Sequence, residues 1–262
     1  MFRLYGYSTS PFVRKVGCCL YYKKIPFEFI PVNPIDPKRL AFTHQSTVPV
    51  LELNGAWRVD STEIALWLDE LSPAWPLFGK SEEERRQILR MDRWVTDSLI
   101  LSGFRSLYEA KLTSKYRAIA WRLAAIVSSQ TPLSQEIQEA WPDLLKMSSF
   151  IQHMMFDVDH SESLKAMRSR VTAELVRGLE PGPFFGGFER PTLLDLTIYS
   201  YLIFNYMVGI EDELPIRRAP SVVDWLGRVS GYLPENPLLV EDFMIVHPVS
   251  LSTGRSAPPP ED

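Results

Sequence analysis

The stretch Tyr7-Ser8-Thr9-Ser10-Pro11-Phe12-Val13-Arg14-Lys15-Val16 decides how this chain folds. Pro11 suits the first turn of a helix, where its fixed φ fits and its missing N–H removes no bond. Val13, Val16, Gly17, Leu20 and Tyr21 then recur at helical spacing. Ser10 stands immediately before that helix, where a serine hydroxyl caps free backbone N–H groups. Upstream, Phe2–Tyr5 is a short apolar run and reads as a strand. Downstream, Ile25-Pro26 ends the helix, and Phe27-Glu28-Phe29-Ile30-Pro31-Val32 alternates like a second strand. Asn33-Pro34-Ile35-Asp36-Pro37 is a turn, and Lys38–Thr43 reads as one or two helical turns. Val48-Pro49-Val50-Leu51-Glu52-Leu53 is a strand, Asn54-Gly55 a hairpin turn, and Trp57–Val59 the returning strand. Asp60-Ser61-Thr62-Glu63 opens a helix through Leu71. The expected order is β-α-β-α-β-β-α, complete by Leu71.

The character changes after the proline-rich stretch Ser72-Pro73-Ala74-Trp75-Pro76, which reads as an interdomain linker. From Glu82 onward strand signals nearly vanish. Ile88, Met91, Trp94, Val95 and Ser98 share one face of a long helix. Further helices are expected over Lys115–Ser129, Gln135–Val158, Ser163–Leu179, Thr192–Val208, Ser221–Ser230 and Glu235–Asp242. The layout is a small α/β domain at 1–74, an all-helical domain at 82–250 and a disordered, proline-rich tail at 251–262. A length of 262 residues has room for both domains.

Composition excludes several classes. Lys+Arg of 28 against Asp+Glu of 32 leaves −4, so the basic footprint of a general nucleic-acid binder is missing. Two cysteines rule out a disulfide framework. The longest apolar run, near Ile198–Ile210, contains Asn205 and falls short of the ~20 residues a spanning helix needs. The start of the sequence shows no secretory signal. The expectation is a cytoplasmic protein with no membrane span and no nucleic-acid partner.

The layout resembles the glutathione transferase superfamily. The resemblance rests on the opening stretch, on Thr47-Val48-Pro49-Val50-Leu51 and on Val59-Asp60-Ser61-Thr62-Glu63-Ile64-Ala65. A fourth match is Phe185-Gly186-Gly187 followed by Pro191-Thr192-Leu193-Leu194-Asp195. It implies a thioredoxin-like N-terminal domain, an all-helical C-terminal domain, glutathione as co-substrate, a small hydrophobic electrophile and a homodimer. In the Ser-type classes the Ser-Pro-Phe segment supplies the active hydroxyl, which maps to Ser10. At a helix N-terminus such a hydroxyl can donate to the glutathione sulfur and stabilise the thiolate. Ser10 also holds the place of the redox cysteine in thiol-transferase classes, which disfavours glutaredoxin-type chemistry. The resemblance further implies a cis bond before Pro49, with the Val48 N–H and C=O offered to the cysteinyl part of glutathione. Asp60 and Ser61 would hold the γ-glutamyl end. The family's lysine before the Val-Pro pair is absent from His44-Gln45-Ser46-Thr47, which leaves His44, Lys38, Arg39 and Gln45 as candidates for the glycine carboxylate. Tyr7, Phe12 and Trp94, with Ser98, Tyr108 and Trp121, are candidates for the second-substrate pocket. Thr192 and Asp195 match the family's structural capping box.

Each site residue also has a plain structural reading. Ser10 also reads as a helix cap alone, with Ser8 and Tyr7 as alternative hydroxyls. Asp60-x-x-Glu63 is itself a capping pattern. His44 reads equally as a solvated loop residue. Cys18 and Cys19 read as core thiols inside the first helix. The four histidines are scattered, so no metal site is expected. Alternative activities are glutathione-dependent isomerisation, ether cleavage, or binding and assembly without catalysis, since fold does not fix function.

Overall fold

The computed structural model describes residues 1–156, 158–211 and 219–249. Four strands, β1 (Phe2–Gly6), β2 (Phe27–Pro31), β3 (Val50–Leu53) and β4 (Ala56–Val59), form one sheet in the order β2-β1-β3-β4. β1 runs parallel to β2, while β3 runs antiparallel to β1 and β4. α1 (Pro11–Tyr22) makes the crossover from β1 to β2, and a short 3-10 turn at Lys38–Thr43 precedes β3. Asn54 and Gly55, with φ of 52° and 86°, close the β3–β4 hairpin in the left-handed region that Asn-Gly tolerates. α2 (Ser61–Leu71) follows β4. This is the thioredoxin-like arrangement. Gly6 ends β1 where a Cβ would fall 2.5 Å from a Val13 methyl, so only glycine lets the strand turn so tightly onto α1.

Beyond it the chain is helical. α3 (Glu82–Trp94), a π-helical stretch at Val95–Ile100 and α4 (Leu101–Glu109) follow one another without a break. Then come α5 (Ser114–Gln130), α6 (Gln135–Met147), α7 (Ser149–Met154), α8 (Leu164–Gly178), α9 (Leu193–Met207) and α10 (Pro220–Ser230). Two expectations need correction. The helix expected over Gln135–Val158 breaks at Ser148, whose ψ of 120° is extended. The helix expected at Glu235–Asp242 does not form, and only Asp242–Met244 makes a 3-10 turn. Pro237 lacks a helical donor there. The Asn236 amide also donates to the Val240 carbonyl at 2.8 Å and fixes a loop instead. The tail at 251–262 lies outside the described residues.

α9 is apolar nearly all round, as a central helix must be. α1 lies between the sheet and α9, which explains why ten of its twelve residues are buried. That burial includes two cations. Lys15 Nζ donates to both carboxylate oxygens of Asp92 on α3 at 2.8 Å, and to Thr62 Oγ1 on α2 at 3.0 Å. Thr62 in turn donates to Asp92 at 2.7 Å. The polar triad joins the α/β part to the first helix of the helical part. Lys23 pairs with Asp69 at 2.6 Å and donates to the Ala74 and Trp75 carbonyls, while Asp69 accepts from the Leu77 and Phe78 N–H groups. The proline-rich connection is therefore fastened to α1 and α2.

Candidate active site

Sheet register brings distant loops together. Tyr5 pairs with Val50, and Val50 pairs with Val59, so the three residues form one row across the sheet. The loop after β1, the segment before β3 and the turn after β4 leave the sheet at that same edge. They carry Ser10, Val48-Pro49 and Asp60-Ser61.

Ser10 is the N-cap of α1, and its hydroxyl oxygen accepts from the Val13 N–H at 3.4 Å. An accepting hydroxyl keeps its own proton free to donate. Ser8 is fully buried and donates to Gln130 Oε1 at 2.9 Å, so its proton is already engaged. Burial raises the Tyr7 pKa above its ordinary value, which keeps that phenol protonated. The Val48–Pro49 bond is cis. The Val48 backbone N–H and C=O make no hydrogen bond with any described residue.

Asp60 is exposed, has φ of 66° and caps α2 through one oxygen, which accepts from Thr62 N at 2.8 Å and Glu63 N at 3.1 Å. Asp60 itself makes this cap, and Glu63 does not reach back to complete a capping box. The left-handed φ is strained for a non-glycine residue, and such strain gathers at functional sites. Ser61 is buried, sits at the first position of α2, and its hydroxyl forms no hydrogen bond with a described residue. Helix N-termini such as this favour anions. His44 is exposed at the end of the 3-10 turn with φ of 56°. Lys38 pairs with Asp36, and Arg39 donates to the Pro31 carbonyl.

A cavity of about 500 Å³ opens beside this edge. Thr9 and Pro11, the neighbours of Ser10, form part of its wall with Arg14. α4, α5, α8 and α9, with the π-helical stretch and the turns after α4 and α9, supply the rest, including Phe104, Leu123, Leu175, Tyr201 and Phe204. Tyr7, Phe12 and Trp94 do not line it. Trp94 instead stacks on Phe185 with ring centroids 5.7 Å apart and donates to Glu174 at 2.7 Å, while Phe12 packs edge-on against Phe150. Tyr108 and Trp121 are exposed. A shallower depression is lined by α8 and the turn after it, away from these loops.

Several residues here escaped the sequence reading. Arg14 has no role that its sequence position predicts, yet it is buried and faces the cavity. Gly103 on α4 stands where a Cβ would meet the Tyr201 hydroxyl, so its absence leaves room for that phenol. Adjacent cations in an otherwise apolar helix were the available signal for Arg14 and Lys15. Cys18 and Cys19 are fully buried, and burial pushes the Cys18 thiol up to about 12, so it stays protonated. Among the described residues, no group of three or more His, Cys, Asp or Glu is placed to hold a metal. No described helix is long and apolar enough to cross a membrane.

The second capping motif is complete. Thr192 Oγ1 accepts from the Leu194 N–H, and Asp195 accepts from the Thr192 N–H at 2.9 Å. Asp195 also accepts from the Phe185 N–H and the Trp225 indole at 2.9 and 2.7 Å.

Residues 4–78 match the family model described as glutathione S-transferase, N-terminal domain. Prostaglandin E synthase 2 of Danio rerio is 32% identical over 63 residues, covering 24% of this chain and 17% of that protein. The Mus musculus protein of the same name is 23% identical over 283 residues, covering 89% of this chain and 71% of that one. Maleylacetoacetate isomerase of Mus musculus is 28% identical over 145 residues, covering 52% and 65%. Among solved structures, human glutathione-S-transferase T1-1 superposes with a TM-score of 0.59 at 16% identity, covering 90% of this chain and 86% of that one. The chain therefore has the glutathione transferase fold, with a glutathione S-transferase N-terminal domain at residues 4–78.

Proposed function

We propose that this protein binds glutathione along the edge formed by Ser10, Val48-Pro49 and Asp60-Ser61, and activates its thiol for attack on a small hydrophobic electrophile. One observation carries the reading: three loops converge at one sheet edge, each with polar groups that the fold leaves unpaired. Val48 would pair with the peptide backbone of glutathione. Ser61 and the α2 N-terminus would hold its α-carboxylate, and the second oxygen of Asp60 its α-amino group. Ser10 would donate to the sulfur while its oxygen still accepts from Val13, so the cap and the catalytic role are compatible. The protein then supplies thiolate and proximity, and needs no nucleophile of its own. In this reading 1–74 holds glutathione, 82–250 receives the electrophile, and the protein works as a cytoplasmic homodimer. His44 takes the glycine carboxylate, and Tyr7, Phe12 and Trp94 serve the second-substrate side only indirectly.

Calorimetric titration with glutathione tests the proposal. Binding at millimolar glutathione or below is expected, and absence of heat would sink it. In the bound state Ser10→Ala should raise the thiol pKa, read from thiolate absorbance against pH. Likeness to maleylacetoacetate isomerase favours a second reading, in which the same thiolate adds to the substrate and later leaves. Glutathione would then be recovered unchanged, and stoichiometric loss of free thiol separates the two reactions.

A further inference from the structure

We infer that the cavity beside Ser10 takes an amphipathic carboxylate, with the Arg14 guanidinium holding its anionic end. As the site of the second substrate this rests on the glutathione reading, but the binding itself does not need glutathione. Arg14 is 2% exposed. Its Nε donates to the Ser200 carbonyl at 3.3 Å and its Nη1 to the Ser8 carbonyl at 2.8 Å. Its guanidinium carbon sits 3.8 Å from the Phe204 ring centroid. Every one of these partners is neutral. No carboxylate among the described residues forms an ion pair with it, although a buried charge is costly without one. A guanidinium carries five N–H donors, and the two carbonyls leave the others open.

The lining charge points the same way. Lys111, Lys115 and Arg168 border the cavity, are exposed and form no salt bridge among the described residues. Glu211 is the only carboxylate among the described lining residues, and it accepts from the Asn205 amide at 3.4 Å. The cations near the mouth would attract an anion, and Arg14 would receive it within. The remaining wall is largely apolar, which suits a hydrocarbon or aryl body. A carboxylate suits the open side of the guanidinium, since its two oxygens can take parallel N–H donors. A dianionic phosphate would lose more hydration on entering such a wall. Burial lowers the Arg14 pKa to about 9, so it remains a cation at neutral pH.

The test compares 4-phenylbutyrate with 4-phenylbutanamide by calorimetry on the full chain, without glutathione. The wild type should bind the carboxylate about tenfold more tightly or better, as a charge-assisted bond implies. Arg14→Met should erase that preference, while Lys111→Gln and Lys115→Gln should keep most of it. Equal binding of the two probes by the wild type would overturn the proposal. So would a preference that survives Arg14→Met, or one that disappears with the two lysines. If Arg14→Met does not fold, the wild-type comparison and the lysine variants still decide. Glutathione binding, measured separately on the same sample, fails or holds independently of these outcomes.

Discussion

Two helix starts in this molecule look alike in sequence and differ in use. Asp60-Ser61-Thr62-Glu63 opens α2, and Thr192-Leu193-Leu194-Asp195 opens α9. At α9 the capping box is buried, and both Asp195 oxygens accept hydrogen bonds. At α2 the cap is exposed, one Asp60 oxygen does the work, and the Ser61 hydroxyl makes no bond with a described residue. A saturated polar cluster stabilises the fold, whereas an unsaturated one has capacity left for a ligand. Substitutions in saturated clusters should therefore lower stability, and substitutions at the open edge should lower binding.

The sharpest stability loss is expected at the buried triad. Asp92→Ala leaves Lys15 uncompensated between α1 and α3, which should cost about 3–5 kcal/mol in urea unfolding. A loss below about 1 kcal/mol would mean that the pair does not fasten the two parts together.

Asp195 gives the next effect through pH. Burial pushes its carboxyl from the ordinary 3.8 up to about 6, despite its donors. Between those values the folded chain binds the proton more readily than the unfolded chain. This group's favourable contribution is thus complete below pH 3.8 and is lost as pH rises through 6. At the conversion of about 1.4 kcal/mol per pH unit, the change is at most about 3 kcal/mol. Wild type should lose stability relative to Asp195→Asn over that window, in unfolding curves taken at successive pH values. A flat difference would show that the donors hold the carboxylate ionised throughout.

Paired substitutions test the two helix starts directly. Thr192→Ala should cost about 1–2 kcal/mol, as a buried cap does. Ser61→Ala should stay within about 0.5 kcal/mol of wild type, yet weaken glutathione binding. An unaltered dissociation constant would return Ser61 to a purely structural place.

The order of strands and helices through Leu71 was legible because each element carries its own period and its own stop signal. Pro11, Asn54-Gly55 and Asp60 mark their boundaries locally. The errors came where local signals conflict. Gln135–Val158 keeps a helical composition across Ser148, and only the backbone there shows the break. Residues 235–242 have helix formers, but Pro237 and the Asn236 side chain override them. The cavity was not legible, since its lining comes from α1, the π-helical stretch, α4, α5, α8, α9 and the turns beside them, and no sequence period reports which faces of separate helices meet. Arg14 was visible as a residue and invisible as a buried cation, because its burial depends on α9 lying across α1.

Ser10 combines both kinds of helix start, and its variant should have only a small effect on stability. Its hydroxyl accepts from Val13 at 3.4 Å, a long bond, so Ser10→Ala should cost no more than about 1 kcal/mol. If Ser10 is only a cap, that loss is the whole phenotype, and the thiol pKa of bound glutathione stays put. If its proton also faces the sulfur, the thiol pKa rises while the unfolding midpoint barely moves. Ser10→Thr keeps the hydroxyl and should restore the thiol pKa even if the added methyl disturbs packing. Thiolate absorbance and urea unfolding on the same variants therefore separate a structural serine from a catalytic one.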